Sequence, residues 1–163
     1  MTTGGQQALR GRRVLELADA SGAYCGKLMA DMGADVLKIE RPGGDPSRQI
    51  PPFWRDARGD DTSFSFLYTN TSKRGITLDP ARPEGREILA RLARSADVVV
   101  ETFPPGHLDA LGLGYEALRR VNPRLVLTSI TGFGQSGPHR DYRSSDLVAS
   151  ALGGALYVTG EEA

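Results

Sequence analysis

Residues 12–40 read RRVLELADASGAYCGKLMADMGADVLKIE, and the fold is decided there. Residues 12–17 carry the short apolar run of a strand, residues 22–32 the spacing of a helix stopped by Gly33, and residues 34–40 the run of a second strand. In that second strand Val36, Leu37 and Ile39 leave almost no polar interval, which suits a strand covered on both faces. Two strands joined through one helix predict the start of a parallel sheet.

The same alternation continues outward. Residues 41–61 turn to Pro, Gly, Arg and Asp without periodicity, an exposed excursion carrying Phe53 and Trp54 of the length that is usually functional or poorly ordered. A short segment at 63–70 and the polar turn Thr71-Ser72-Lys73-Arg74 lead into a strand at 75–79, with β-branched Ile76 and Thr77. Asp79 or its neighbour is placed to cap a helix over 83–95, which has Ile88, Leu89 and Leu92 on one face and Arg86, Glu87, Arg91 and Arg94 on the other. A strand at 97–102, helical patterns through Leu108, Leu111, Tyr115 and Leu118, a strand at 124–131 and a helix at 145–152 follow. Strand and helix alternating in this way predict an α/β fold, a mostly parallel sheet with helices on both faces. The closing GGALYVTGEEA of residues 153–163 gives no natural finish, so the sheet is expected to be incomplete at the C-terminus.

Composition removes several function classes. The 163 residues hold 20 basic and 20 acidic side chains, so no nucleic acid or other polyanionic partner is expected. A hydrophobic share of 39% with no net charge suits a buried core rather than disorder. No run approaches the roughly 18 apolar residues of a membrane helix, and residues 1–7 lack a secretory pattern, so no membrane association and a cytoplasmic setting are expected. Cys25 stands alone, which excludes an intramolecular disulfide, and with only His107 and His139 it makes too thin a set for structural zinc.

Gly132-Phe133-Gly134-Gln135-Ser136-Gly137 is a GxGxxG directly after an expected strand. A dinucleotide site needs that turn to open a helix on the first strand, whereas here Pro138, His139, Arg140 and Asp141 intervene and the strand is the fifth. An NAD-binding oxidoreductase resting on this motif is the weaker alternative, and the near-match at 112–117 reads as a helix break and restart. Cys25 reads as a small buried residue rather than a nucleophile, since neither histidine is placed to act as its base. His107 reads as a surface or capping residue. Arg41, Arg48, Lys73 and Arg74 are ordinary solvated charges one by one. As a set they gain interest, because Arg41 ends a strand where open α/β sheets bind ligands, and phosphates are recognised by Arg and Lys in such loops.

Taken together, GRRVLEL (11–17), MGADVLKIER (32–41), NTSKR (70–74), DVVVETF (97–103), NPR (122–124) and GFGQSGP (132–138) resemble, in order and spacing, the family III coenzyme A transferases. That family also includes carnitine-CoA transferases, formyl-CoA transferase and α-methylacyl-CoA racemase. The resemblance runs from about Leu9 to Gly160. It implies a Rossmann-like larger domain that binds coenzyme A, of which residues 1–163 are the N-terminal part, with the C-terminal remainder and the small domain absent. It also implies acyl-CoA and a free carboxylic acid as substrates, no covalently bound cofactor, and either an interlocked homodimer in the complete form or a complementing C-terminal chain. A non-catalytic subunit completed by a separate chain is the third reading.

In the family's transferases an aspartate forms a mixed anhydride with the acyl group and then an aspartyl-CoA thioester. That aspartate lies beyond residues 153–160, so the catalytic residue of this chain is unknown and the chain alone is expected to be inactive and prone to associate. The resemblance places coenzyme A against Asp19 and Ala20 at the first strand-to-helix turn, Arg41, Lys73 and Arg74 as phosphate cations, and Thr102 and Phe103 after the fourth strand. Three features depart from the family or strain this placement. Thr102 stands where an Asn is common, with no Arg following Phe103, and Asp19 puts an anion near an anionic ligand. Lys73 and Arg74 precede a strand that, if parallel, starts at the sheet end opposite Arg41. Ser145, where the racemases carry a histidine, argues against racemase chemistry and leaves Asp146 as a residue that caps or orients a helix.

Overall fold

A computed structural model describes residues 7–56 and 62–160. The end of the 41–61 excursion and both extreme termini lie outside the described residues. Five strands, β1 (Arg13–Leu17), β2 (Asp35–Glu40), β3 (Arg74–Thr77), β4 (Val98–Glu101) and β5 (Val126–Ser129), form one sheet. The helices are α1 (Ala23–Asp31), α2 (Phe64–Asn70), α3 (Pro83–Ala93), α4 (His107–Ala110), α5 (Tyr115–Val121) and α6 (Asp146–Leu152). The sheet order is β3-β2-β1-β4-β5 and every pairing is parallel, as the alternation predicts.

Burial follows the two faces of the pleat. Leu15 and Leu17 of β1 join Ile39, Val99 and the inner faces of α3, α4 and α5, where Leu89, Leu108 and Leu118 are buried. Val14, Val36 and Val100 face the other way, onto Ala30 and Ala34 beside α1. Each of these Leu, Ile and Val side chains removed from water stabilises the fold by about 1.5–3 kcal/mol. Helix α1 buries only Ala23, Gly26 and Ala30, a small-residue stripe that lets it lie close on the sheet. On that face Glu16 of β1 stands in register with Lys38 of β2, both buried, where two apolar residues would ordinarily meet.

Local structure fills in what the periodicity left open and corrects one cap. The segment at 63–70 is a helix, because the Ser63 hydroxyl accepts the Phe66 N–H at 3.3 Å and so caps it. The long excursion contains two 3-10 turns, Pro46–Gln49 and Trp54–Asp56. Asp79 does not cap α3. Its carboxylate accepts the Ala81 N–H at 2.9 Å in the preceding turn, and α3 begins on Pro83 after Arg82, whose side chain caps nothing. At α6 the cap is Ser145, and Asp146 sits one residue inside the first turn, where its charge suits the helix dipole.

Candidate functional site

From β1 the chain winds to β2 and β3 on one side, then returns to lay β4 and β5 on the other. The crevice where the winding reverses therefore opens at the C-terminal ends of β1 and β4, the place where open α/β sheets bind ligands. The turn after β1 and the turn after β4 are clasped across it, since the Asp19 N–H donates to the Thr102 hydroxyl at 2.9 Å. Asp19 turns its carboxylate back on its own loop, accepting from the Ser21 N–H at 2.9 Å and the Ser21 hydroxyl at 2.6 Å. The anion that strains the ligand reading is thus satisfied locally. After β4, the buried Glu101 carboxylate accepts the Phe103 N–H at 2.6 Å and fixes that turn.

Two cavities flank this clasp and share Thr102, Phe103 and Pro104. The smaller, about 340 Å³, lies over β1 and β2 and is lined by Asp19, Arg41, the 78–81 turn, Phe103 and His107. The larger, about 770 Å³, lies over β4 and β5 and is lined by Ser21, Thr131, Phe133 and residues 140–146. Phe103 stands between them with its ring tilted against His107, centroids 4.7 Å apart, giving the smaller cavity a flat apolar wall. His107 is exposed, as expected, but it also completes that wall.

The cations read as a set do not act as one. Arg41 lines the smaller cavity and reaches only the Gly44 carbonyl, at 3.4 Å; among the described residues it has no carboxylate partner. Arg48 is committed to Glu40 at 2.7 and 2.8 Å and lies 3.7 Å over the Phe66 ring. Arg74 forks onto Asp35 at 2.7 and 2.9 Å, at the opposite end of the sheet. Lys73 points inward, its side chain 1% exposed, and binds Glu16 at 2.7 Å, the Ala23 carbonyl at 2.8 Å and Asn70 at 3.0 Å. Burial pushes the Lys73 ammonium below its ordinary value, against the pull of Glu16. The structure therefore brings Asp19, Arg41, Thr102 and Phe103 to one cavity, with Ala20 on the adjoining turn, and separates Lys73 and Arg74 from them. For Arg74 the reason is the parallel direction of β3, whose first residue lies toward the N-terminal edge, whereas Lys73 is turned inward onto Glu16 and the Ala23 carbonyl.

Sequence reasoning missed the 78–81 rim and the interior charges Glu16, Lys38 and Asp45. A signal for two of these existed: alternation from Val14 and Val36 turns Glu16 and Lys38 inward, and a charge inside a strand covered on both faces needs a partner. The GxGxxG at 132–137 opens no helix, and the next one starts only at Asp146. Cys25 is half-buried against the α1 side of the core. No three His, Cys, Asp or Glu among the described residues stand where they could hold a metal ion, and no described helix is long and apolar enough to cross a membrane.

Residues 9–163 match the sequence profile of CoA-transferase family III. The chain is 45% identical over 148 residues to the succinyl-CoA:(R)-benzylsuccinate CoA-transferase subunit BbsE of Thauera aromatica, covering 91% of this chain and 36% of that one. It is 46% identical over 157 residues to a succinate–glutarate CoA-transferase of Agrobacterium fabrum, covering 94% and 39%. Among solved structures, a CAIB/BAIF family protein from Brucella suis superposes with a TM-score of 0.87 at 40% identity, over 96% of this chain and 42% of that one. The chain thus spans about two fifths of the length of these relatives.

Proposed function

The chain belongs to CoA-transferase family III, and we propose on that premise that it holds the nucleotide end of coenzyme A in the crevice between β1 and β4, as the N-terminal part of an enzyme that moves CoA from an acyl-CoA to a free carboxylate. The observation that supports this most is the smaller cavity, lined both by an arginine that has no carboxylate partner among the described residues and by a flat aromatic wall. The phosphates of coenzyme A need a cation, which Arg41 supplies, and its adenine needs an apolar plane, which Phe103 supplies. Asp19, Ala20 and Thr102 contribute the clasped backbone at the crevice mouth. Lys73 and Arg74 are left out of this assignment, because both are committed to buried or distant carboxylates.

The names of the relatives pair succinyl-CoA or succinate with a second carboxylic acid, which favours the CoA ester of a dicarboxylic acid as donor. The same reading has the protein working in the cytoplasm, as a dimer or with a complementing C-terminal chain, and the word subunit in the name of BbsE supports assembly. Calorimetric titration of the full-length protein with coenzyme A tests the site. Arg41→Ala is expected to weaken binding by about 1.5–3 kcal/mol, the range for hydrogen bonds to charged groups. Unchanged affinity in the folded variant, or tight NADH binding with indifference to coenzyme A, overturns the proposal.

A further inference from the structure

Beneath the crevice, between the sheet and α1, two lysines and two carboxylates are buried together. Lys38 Nζ lies 2.7 Å from Asp45 Oδ2, 3.2 Å from Glu16 Oε1 and 3.0 Å from the Ala18 carbonyl. Lys73 Nζ lies 2.7 Å from Glu16 Oε2, 2.8 Å from the Ala23 carbonyl and 3.0 Å from Asn70 Oδ1. All four charged side chains are no more than 4% exposed. The charges cancel, and each ammonium has three partners for its three N–H donors.

Such a cluster is weak evidence for stability, because well-packed apolar residues in the same places are often neutral or better. What apolar residues cannot do is hold backbone carbonyls. Lys38 and Lys73 hold the two ends of the turn that follows β1, Ala18 and Ala23, and so bracket Asp19, Ala20 and Ser21. Asp45, whose other oxygen accepts the Ser47 N–H at 2.8 Å and hydroxyl at 2.6 Å, ties down the loop that begins at Arg41. Two rims of the smaller cavity, the 18–23 turn and the 41–45 loop, therefore hang from one buried centre.

We infer that Glu16, Lys38, Lys73 and Asp45 are positioning residues that preform the coenzyme A crevice, fixing the 18–23 turn through the lysines and the 41–45 loop through Asp45. The inference rests on the ligand assigned above, and it gives Lys73 a part in binding without any contact to phosphate. Its test uses the full-length protein and two variants. Asp45→Asn frees the loop while Lys38 keeps Glu16. The pair Glu16→Gln with Lys73→Met removes one charge of each sign, leaves Lys38 and Asp45 balanced, and releases the Ala23 carbonyl.

Each variant is expected to raise the coenzyme A dissociation constant, and KM for acyl-CoA, by about tenfold or more, the scale of loss from a misplaced site, with kcat little changed. The double variant should melt close to the unaltered protein. Amide exchange without ligand should quicken in 41–45 for Asp45→Asn and in 18–23 for the double variant. Unaltered affinity in Asp45→Asn overturns the inference, as does a double variant that binds as tightly as the parent. Failure of the ligand reading is distinguishable: the unaltered protein then binds no coenzyme A, and slow exchange in both rims, lost segment by segment in the variants, still decides whether the buried centre fixes them.

Discussion

Gly26 shows how a single atom constrains the site. It lies on the inner face of α1 directly over the Glu16 carboxylate, and a methyl group there would overlap the carboxylate, which its two lysines hold in place. Gly26→Ala is expected to cost about 1–3 kcal/mol, the usual penalty for an overpacked interior, read as a lower urea midpoint at unchanged slope. An unchanged midpoint would show that helix and carboxylate are not in close contact. At the same scale, Arg41 and Lys73 are equally basic in sequence and opposite in fate. One lines a cavity and pairs with no carboxylate among the described residues, and the other is sealed against Glu16.

The loop after β2 is the element most dependent on charge. Arg48 holds the Glu40 carboxyl below its ordinary value of 4.5, outweighing partial burial. Burial alone would raise Asp45, but Lys38 and the Ser47 donors more than offset it and hold it below 3.8. Both groups have lower values folded than unfolded. The stability they contribute is fully present above about 4.5 and is lost as pH falls through the depressed values, which lie below 4.5 for Glu40 and below 3.8 for Asp45. Acid in that range is expected to loosen residues 41–50 first, seen as early proteolysis or amide exchange there, with the sheet still intact. A variant carrying Glu40→Gln and Asp45→Asn should lack this acid-dependent step, and its persistence would assign the step to other groups.

Over the whole molecule, order is expected to follow burial. Strands β1, β2 and β4 are covered on both faces, whereas α6 and the 3-10 turn at Ala155–Val158 contain no buried residue, with Leu147 68% and Leu152 70% exposed. In the 163-residue chain, amides of residues 146–158 should exchange well before those of the three inner strands. Equal protection would show that the C-terminal segment packs more tightly than its burial indicates. Most of the architecture was legible beforehand, because strand and helix periods are local and parallel crossovers admit few topologies. The α2 helix escaped notice since its Phe-Ser-Phe-Leu-Tyr pattern fits a strand as readily, and a serine cap settled the matter.

What the sequence by itself determined is the alternation of strand and helix, the parallel sheet and the family. Each of these rests on short-range pattern or on motifs in fixed order. Which cation lines the crevice was decided only by the tertiary structure. Lys73 finds Glu16 across 57 positions of chain, and Arg74 finds Asp35 across 39. Ion pairs at that separation depend on strand register and direction, which bring distant residues within a few ångströms, and no local periodicity records such partners.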